Sequence, residues 1–540
     1  MLLSSNWRNE AIAPGKLSVH HAQLVTRGGD SSNRCASCHA AGNQSAFEWL
    51  SHATDPKLST PTQSELCLEC HKKDIPPATA LLAHNFDPQF LTATHEVDLG
   101  ARHVDPSGSF ACATCHQEHH GASHDLKAMS DSACQACHRQ EFHSFATDHP
   151  DFKTWPEKRR TRIAFDHSSH QAKHFPAEKQ EFACATCHQQ SESGFQETLG
   201  YEATCAKCHD SDIQTSWEAG VPFVNLPMVD VEALAEAGHD VKPWPEATTG
   251  DFDGALPLVT KFLLLSDADA AQGIEILGTD FDFYDVDPDD PEQLAAAAKV
   301  ILAVKQMTTD IAAKGHSAIA ERLEKILSRK LTAEELAAAV AHLSAEDMSA
   351  LAESWLAESP AEASGQPGAK EKFAGGGWVR DDQTFALRYR PTGHADPWLT
   401  AWITYLAEST SGPQKKNAES LLTQIMKPTA PGMCGSCHSV DRLADGSLAV
   451  NWIAKQSTTK QSFTVFSHAP HVLQTQLSDC STCHRLEKEA AVMTSYTAQD
   501  PRTFAAGFHQ FTKQDCATCH KDGAAGDSCT QCHRYHIGER

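Results

Sequence analysis

All 20 cysteines of the chain lie in ten copies of the pentapeptide Cys-x-x-Cys-His, and no cysteine is left over. Two thiols at this spacing reach the two vinyl groups on one edge of a porphyrin, and the histidine that follows can bind the iron. Each pentapeptide, called a clamp below, therefore predicts one covalently bound haem c. We number the clamps and their haem sites 1 to 10 in chain order.

The predicted ligands follow directly from the ten clamps. The cysteines expected to form thioether bonds are Cys35, Cys38, Cys67, Cys70, Cys112, Cys115, Cys134, Cys137, Cys184, Cys187, Cys205, Cys208, Cys434, Cys437, Cys480, Cys483, Cys516, Cys519, Cys529 and Cys532. The proximal iron ligands are expected to be His39, His71, His116, His138, His188, His209, His438, His484, His520 and His533.

Two other uses of paired cysteines fit this pattern less well. A zinc ribbon contains Cys-x-x-Cys pairs but does not need a histidine after every second cysteine. A redox-active dithiol normally occurs once in a chain, whereas this pentapeptide occurs ten times. The repeated histidine therefore favours haem over zinc or disulfide bonds.

A second axial ligand for each iron must come from the 22 of the 32 histidines that lie outside the clamps. A haem with protein ligands on both faces transfers electrons, whereas an open face can bind and activate a small molecule. For the first six haems there is a surplus of candidates, and we favour His21, His84, His95, His103, His119, His149, His167 and His170. For the last four haems there is one spare histidine per iron: His468, His471, His509 and His536.

The position of His536 limits what it can bind. It lies too close to His533 to bind the same iron, so we expect it to reach a neighbouring haem. The four spare histidines between the two groups of clamps are expected to have no ligand role; they are His239, His316, His342 and His394. His342 lies in an alanine-rich helical pattern and is predicted to be a helix-face residue.

Two segments ahead of clamps resemble the class III, or cytochrome c3-type, multihaem cytochromes. They are Phe165-Asp-His167-Ser-Ser-His170 before Cys184 and Phe466-Ser-His468-Ala-Pro-His471 before Cys480. The resemblance implies that His167 and His468 bind their local haems and that His170 and His471 bind neighbouring ones. The segments around His119 and His149 are similar to those of larger members. The likeness covers both groups of clamps but not residues 216–425, and no Cys-x-x-Cys-Lys variant of the multihaem nitrite and hydroxylamine enzymes occurs.

The spacing of the clamps predicts three segments. Residues 1–215 form a six-haem module, residues 216–425 an acidic, helix-rich insertion without haem, and residues 426–540 a four-haem module. Phe110–Gln117 recurs letter for letter as Phe182–Gln189, and each copy is followed by a second clamp, which indicates a duplication. The predicted fold is mostly α and irregular, with few strands, haem-packed modules and a helical inserted domain. Stacked haems rather than aliphatic side chains are expected to fill the modules, since only 40% of residues are hydrophobic.

The insertion differs from the modules in pattern and charge. Leu294–Lys330 has a helical pattern, and Thr332-Ala-Glu-Glu335 and Ser344-Ala-Glu-Asp347 are typical helix starts. The insertion carries 34 acidic and 16 basic side chains, so its net charge of −18 accounts for most of the −25 of the chain. Its most acidic stretch, residues 280–292, could hold calcium, but it lacks the ligand register of an EF-hand, and a solvated acidic loop is the preferred interpretation.

These observations predict an electron carrier rather than an enzyme. The leading hypothesis is a conduit for single electrons, and the alternatives are a terminal reductase with one open haem and a subunit of a haem filament. The expected partners are other redox proteins, a membrane quinol-linked donor or an extracellular acceptor, and a homo-oligomer is possible. Nucleic acid is not an expected partner of so acidic a chain. The insertion is predicted to loop out, so that sites 6 and 7 stay close, and to steer a basic partner. The alternative is that it is an acidic spacer that only keeps the protein soluble.

Attachment of haem c takes place outside the cytoplasm, so the protein is expected to be exported to the periplasm or cell surface of a bacterium. The start of the sequence, Met1-Leu2-Leu3-Ser4, has no basic region followed by an apolar stretch, and no run of about 18 apolar residues occurs in the chain. We therefore expect an upstream signal or membrane anchor that is not part of this sequence.

Overall fold

The structure is a computed structural model that describes most of the chain. The described residues are 15–27, 35–39, 62–81, 83, 110–129, 142–153, 155–156, 159–192, 194, 196–245, 253–356, 376–382, 384–453 and 463–536. Clamp 4 and three predicted distal ligands lie outside the described residues; they are Cys134, Cys137, His138, His84, His95 and His103.

A three-stranded antiparallel sheet joins the beginning of the insertion to its end. Val221–Asn225 pairs with Ala386–Arg390, which pairs on its other edge with Gly377–Asp381. Just beyond the sheet, the Gly432 amide donates a hydrogen bond of 2.9 Å to Ser216 Oγ. The chain therefore leaves the insertion next to where it entered, as predicted. The sheet itself was not predicted, because its strands are short and far apart in sequence.

Nine helices and one 3-10 turn make up the rest of the insertion's described regular structure. The helices span Val231–Glu236, Leu258–Leu264, Ala268–Leu277, Pro291–Lys314, His316–Leu327, Ala333–Val340, Ala345–Trp355, Pro397–Ser409 and Lys415–Ile425, and the 3-10 turn spans Phe283–Asp285. The predicted helix over 294–330 is interrupted at Gly315, whose φ of 62° is left-handed. Both predicted helix starts are confirmed: Thr332 forms a capping box with Glu335, and Ser344 Oγ accepts the Asp347 amide.

The insertion has a conventional apolar core. Trp398, Trp402, Phe223 and Phe262 are fully buried against one another, with ring centres of Phe223 and Trp402 5.8 Å apart. Buried indole nitrogens need a partner, and Trp402 Nε1 donates to the Ala339 carbonyl at 3.1 Å. This core explains why so acidic a segment still folds.

The described residues of the clamp regions form only short elements. Their helices are Val19–Arg27, Gln63–His71, Pro77–Leu81, Cys112–Cys115, Phe145–Asp148, His167–Ser169, Phe175–Ala177, Tyr201–Thr204, Ala206–Ser216, Ala469–Val472, Thr494–Thr497 and Lys513–Ala517, with a π-helical turn at His170–His174. Single 3-10 turns span Cys35–Ser37, Cys184–Thr186, Cys434–Ser436, Thr475–Leu477, Cys480–Thr482 and Cys529–Gln531. Two hairpins pair His188–Gln190 with Gln196–Thr198 and Val440–Arg442 with Leu448–Val450.

The clamp regions lack an apolar core of the kind seen in the insertion. Among the described residues before Trp217 and after Leu448, the only buried hydrophobic side chains are Ala80 and Ala517. Interiors of folded domains are normally close-packed by apolar side chains. The clamp regions therefore depend on something other than aliphatic packing.

The described residues of the two clamp regions pack against each other. Ile163 forms an antiparallel bridge with His438, and the buried Arg160 guanidinium forms an ion pair of 2.6 Å with Asp441. The Lys513 ammonium also donates to the His149 carbonyl at 2.9 Å. Within the described part of the chain, no helix is both long and apolar enough to cross a membrane.

Candidate haem sites

A single helical turn shapes most of the described clamps. The amide of the clamp histidine donates to the carbonyl of the first cysteine, for example His39 to Cys35 at 2.8 Å and His484 to Cys480 at 2.8 Å. Residues three apart on such a turn lie on the same side. Both thiols and the following imidazole are therefore presented to one ligand.

Each of the nine described clamp histidines faces one histidine from outside the clamps. The ring centres are 6.0–6.4 Å apart, and no partner is used twice. The pairs are His21 with His71, His39 with His119, His116 with His536, His149 with His533, His167 with His188, His170 with His209, His394 with His438, His468 with His484 and His471 with His520.

This separation fits one metal atom between two imidazoles. A metal–imidazole bond is about 2.0 Å long and a ring nitrogen lies about 1.1 Å from its ring centre, so two rings on opposite sides of one metal have centres about 6.2 Å apart. The observed distances agree with that value for all nine pairs. Among the described residues, no group of three or more His, Cys, Asp or Glu side chains is arranged to hold a metal ion. The residues therefore fit a haem iron with two protein ligands.

Hydrogen bonds fix the tautomer of several of these imidazoles. The Nδ1 atom contacts a backbone carbonyl in His116 (Leu126, 2.7 Å), His170 (Asp166, 2.8 Å), His438 (Asn451, 2.9 Å) and His471 (Ser467, 2.8 Å). A carbonyl oxygen only accepts, so Nδ1 carries the hydrogen and the Nε2 lone pair is left for a metal. These hydrogen bonds favour the tautomer that iron coordination needs.

Burial keeps many of the paired imidazoles neutral. Burial, followed by repulsion from the facing ring His188, lowers the pKa of His167 to about 4. Burial and the facing ring of His484 likewise lower the pKa of His468. A metal ligand must be a neutral imidazole. At these sites the imidazole is already neutral near neutral pH, so metal binding does not first require removal of a proton from it.

The two segments that resemble class III cytochromes have the same local geometry. His167 and His468 face His188 and His484 of the clamps that follow them, whereas His170 and His471 face clamp histidines farther along the chain. Phe165 stacks on His170 with ring centres 4.0 Å apart, and Phe466 stacks on His471 at 4.6 Å. One segment thus supplies ligands to two sites in each case.

Two pairs join the first clamp region to the last. His536 faces His116 of clamp 3, and His149 faces His533 of clamp 10. The expectation that the four spare histidines of the last module bind that module's own four irons is therefore wrong. Counting histidines within a module cannot reveal ligands exchanged between segments that are distant in sequence.

His394 of the insertion faces His438 of clamp 7, with ring centres 6.0 Å apart. It lies in the tight loop between the strand Ala386–Arg390 and the helix Pro397–Ser409, and Tyr201 stacks on its other side at 3.6 Å. The prediction that all four insertion histidines are ordinary is wrong at this position. No sequence signal around His394 marks it, because its clamp begins 40 residues later.

His509 is the predicted distal ligand that the structure places elsewhere. Its half-exposed ring forms an ion pair with Glu487, with 2.9 Å between Nδ1 and Oε2. It faces none of the nine described clamp histidines, whose partners are given above. His509 was predicted as a ligand because it is one of four spare histidines for the last four haems, but the fold turns its ring towards a carboxylate.

Neighbouring clamps lie close together around sites 5 to 8. Burial and then the charge of Cys205 raise the pKa of Cys437, which places clamp 6 beside clamp 7. Burial and then Cys205 also raise the pKa of Cys187 of clamp 5. Cys184, also of clamp 5, is hydrogen bonded to Cys480 of clamp 8. Clamps 7, 6, 5 and 8 therefore follow one another in space.

The remaining described clamps continue this series. The pKa of Cys516 of clamp 9 is raised to about 11, mainly by burial. Further contributions come from Cys532 of clamp 10, Asp515 and Cys483 of clamp 8. Burial, then Glu118 and Cys70 of clamp 2, raise the pKa of Cys38 of clamp 1. Clamp 9 thus lies between clamps 8 and 10, and clamp 1 lies beside clamp 2.

The acidic stretch 280–292 of the insertion uses its carboxylates locally. Asp282 accepts the Tyr284 amide, and Asp290 accepts the Glu292 amide, each at 2.9 Å, as caps of the elements that follow. Asp285, Asp287 and Asp289 are exposed. A role as helix caps and solvated charges accounts for this stretch, and calcium binding there stays a prediction.

Comparison of the chain with models of protein families, with curated proteins and with solved structures found no match.

We predict that His394→Ala opens the iron of site 7 alone. One haem in ten should become high-spin in the ferric protein and bind carbon monoxide when reduced, because its second imidazole is lost. Absorption and EPR spectra measure both changes. His394→Met should restore a low-spin iron with a higher potential, and His342→Ala, an exposed insertion histidine, is the matched control. Ten low-spin haems in His394→Ala would contradict the assignment.

Proposed function

We propose that this protein transfers electrons through ten covalently bound haem c groups, each iron held between two histidines. The observation that carries the proposal is the set of nine histidine pairs with ring centres 6.0–6.4 Å apart, each pairing one clamp histidine with a different partner. Haem supplies the one-electron chemistry when bound. The chain supplies attachment, two ligands per iron and an environment that sets each potential.

The order of sites supports a continuous path. The hydrogen bond between Cys184 and Cys480 and the charge effects between the other clamp cysteines give the series 8, 5, 6 and 7 in one direction and 8, 9 and 10 in the other. His536, which faces clamp 3, lies three residues after His533 of clamp 10, and His119, which faces clamp 1, lies three residues after His116 of clamp 3. Electron tunnelling falls off steeply with distance, so this proximity favours hopping among the nine sites whose clamps the structure describes, in the order 2, 1, 3, 10, 9, 8, 5, 6 and 7; clamp 4 lies outside the described residues.

The insertion lies beside the site 7 end of this path. It contributes His394 to that site and carries a net charge of −18. A negative surface raises the rate of encounter with a positively charged partner. We infer that a basic redox protein docks there, in the periplasm or at the cell surface, while a quinol-linked donor, an extracellular acceptor and a membrane anchor upstream of this chain remain further proposals.

A test with carbon monoxide separates the conduit from a terminal reductase. Because the proposed irons have imidazole on both faces, the reduced holoprotein should not bind carbon monoxide, and the oxidised protein should be wholly low-spin. Optical titration of the dithionite-reduced protein measures binding. Stoichiometric binding to one haem, together with turnover of nitrite or sulfite, would instead support a reductase.

Electron exchange with a small basic cytochrome should depend on salt. Stopped-flow measurements should show a second-order rate constant that falls on the order of tenfold or more as ionic strength rises to physiological values. Neutralising the exposed Asp285, Asp287 and Asp289 with asparagine should reduce both the rate and its salt dependence while the amide caps remain. The matched control neutralises three exposed carboxylates of the clamp regions, Glu178, Glu181 and Glu489. A rate independent of salt would contradict docking at the acidic insertion.

A further inference from the structure

Glu118 connects three of the candidate haem sites. It follows His116 of clamp 3 by two residues, precedes His119 of site 1, and accepts a hydrogen bond from Nδ1 of His21, which faces His71 of clamp 2. Its side chain is one-fifth exposed. Because it is hydrogen bonded to His21 and His119 and lies two residues from His116, Glu118 can influence more than one site.

Further hydrogen bonds hold the Glu118 carboxylate in place. The amide and hydroxyl of buried Ser18 donate to its two oxygens at 2.9 and 2.5 Å, and the His119 amide donates at 3.2 Å. The Ser18 hydroxyl and the His21 ring share the same oxygen, Oε1. The orientation of the His21 ring is therefore set by a carboxylate that is itself fixed.

The partner of His21 differs in charge from the partners of four other proposed ligands. His116, His170, His438 and His471 donate Nδ1–H to neutral backbone carbonyls. A carboxylate is a stronger acceptor, and hydrogen bonds to charged groups are roughly twice as strong as neutral ones. Pulling on the Nδ1 hydrogen makes Nε2 a more basic ligand, which stabilises ferric iron more than ferrous iron.

We propose that Glu118 is a positioning residue that lowers the reduction potential of the haem at site 2 through His21. This inference rests on the proposed function, because it requires haem at clamp 2. Site 2 lies at one end of the series formed by the nine described sites, so a lowered potential there favours transfer of electrons from site 2 to the next site in that series. The end of the path at site 2 would then be the entry point for a strongly reducing donor.

The test compares reduction potentials in variants of the full holoprotein. Glu118→Gln keeps a hydrogen-bond acceptor but removes its charge, so the midpoint potential of one haem should shift in the positive direction while all haems stay low-spin. Asp74→Asn is the matched control: it removes a largely exposed carboxylate 3.5 Å from His71 Nδ1 at the same site and should cause a much smaller shift. Redox titration followed by optical and EPR spectra measures each potential.

Ser18→Ala provides an independent test with the opposite sign. Loss of the Ser18 hydroxyl leaves Oε1 free to accept more strongly from His21, so the same haem should shift in the negative direction. A purely structural role predicts no such reversal. The proposal is wrong if the potentials are unchanged in both Glu118→Gln and Ser18→Ala, or if the two variants shift the potential in the same direction. Ser18→Ala keeps this test valid if Glu118→Gln loses its axial ligand. The intact mass of each variant shows whether all haem groups are attached. A full haem content with unchanged potentials would contradict only the role of Glu118, whereas missing haem would contradict the proposed function.

Discussion

The fold of the clamp regions depends on pairs of imidazoles held about 6 Å apart by segments that are remote in sequence. His116 and His536, and His149 and His533, face each other across hundreds of residues. In the proposed holoprotein an iron atom would join each of the nine described pairs, so these haems would act as both cofactors and cross-links. The near absence of buried aliphatic side chains among the described residues of these regions fits that proposal, in which porphyrins would supply the apolar interior.

The insertion is stabilised by an apolar core, unlike the described clamp regions, and it still contributes to one candidate haem site. Its tryptophan-rich core buries Trp398 and Trp402, and its sheet returns the chain to its starting point beside Ser216 and Gly432. That rigid frame holds the loop that presents His394 to His438. A segment that binds no haem of its own thus completes a proposed haem site and places a strongly negative surface beside it.

Local signals in the sequence predicted local structure well. The helix starts at Thr332 and Ser344 are present because capping depends on residues within one turn. His167, His170, His468 and His471 each face a clamp histidine, and a short motif identified all four. The sheet of the insertion, the pairing of His394 with His438 and the pairing of His149 and His536 with clamp histidines of the other region were not predicted. Each depends on contacts between segments far apart in the chain, which neither periodicity nor residue counts report.

The intact mass of the purified protein, produced in a host that attaches haem c, tests the central claim most directly. We expect a mass equal to that of the polypeptide plus ten haem groups, because each of the ten clamps supplies two thiols and a histidine. The bare polypeptide mass, or a mass with only a few haem groups after full maturation, would contradict the account.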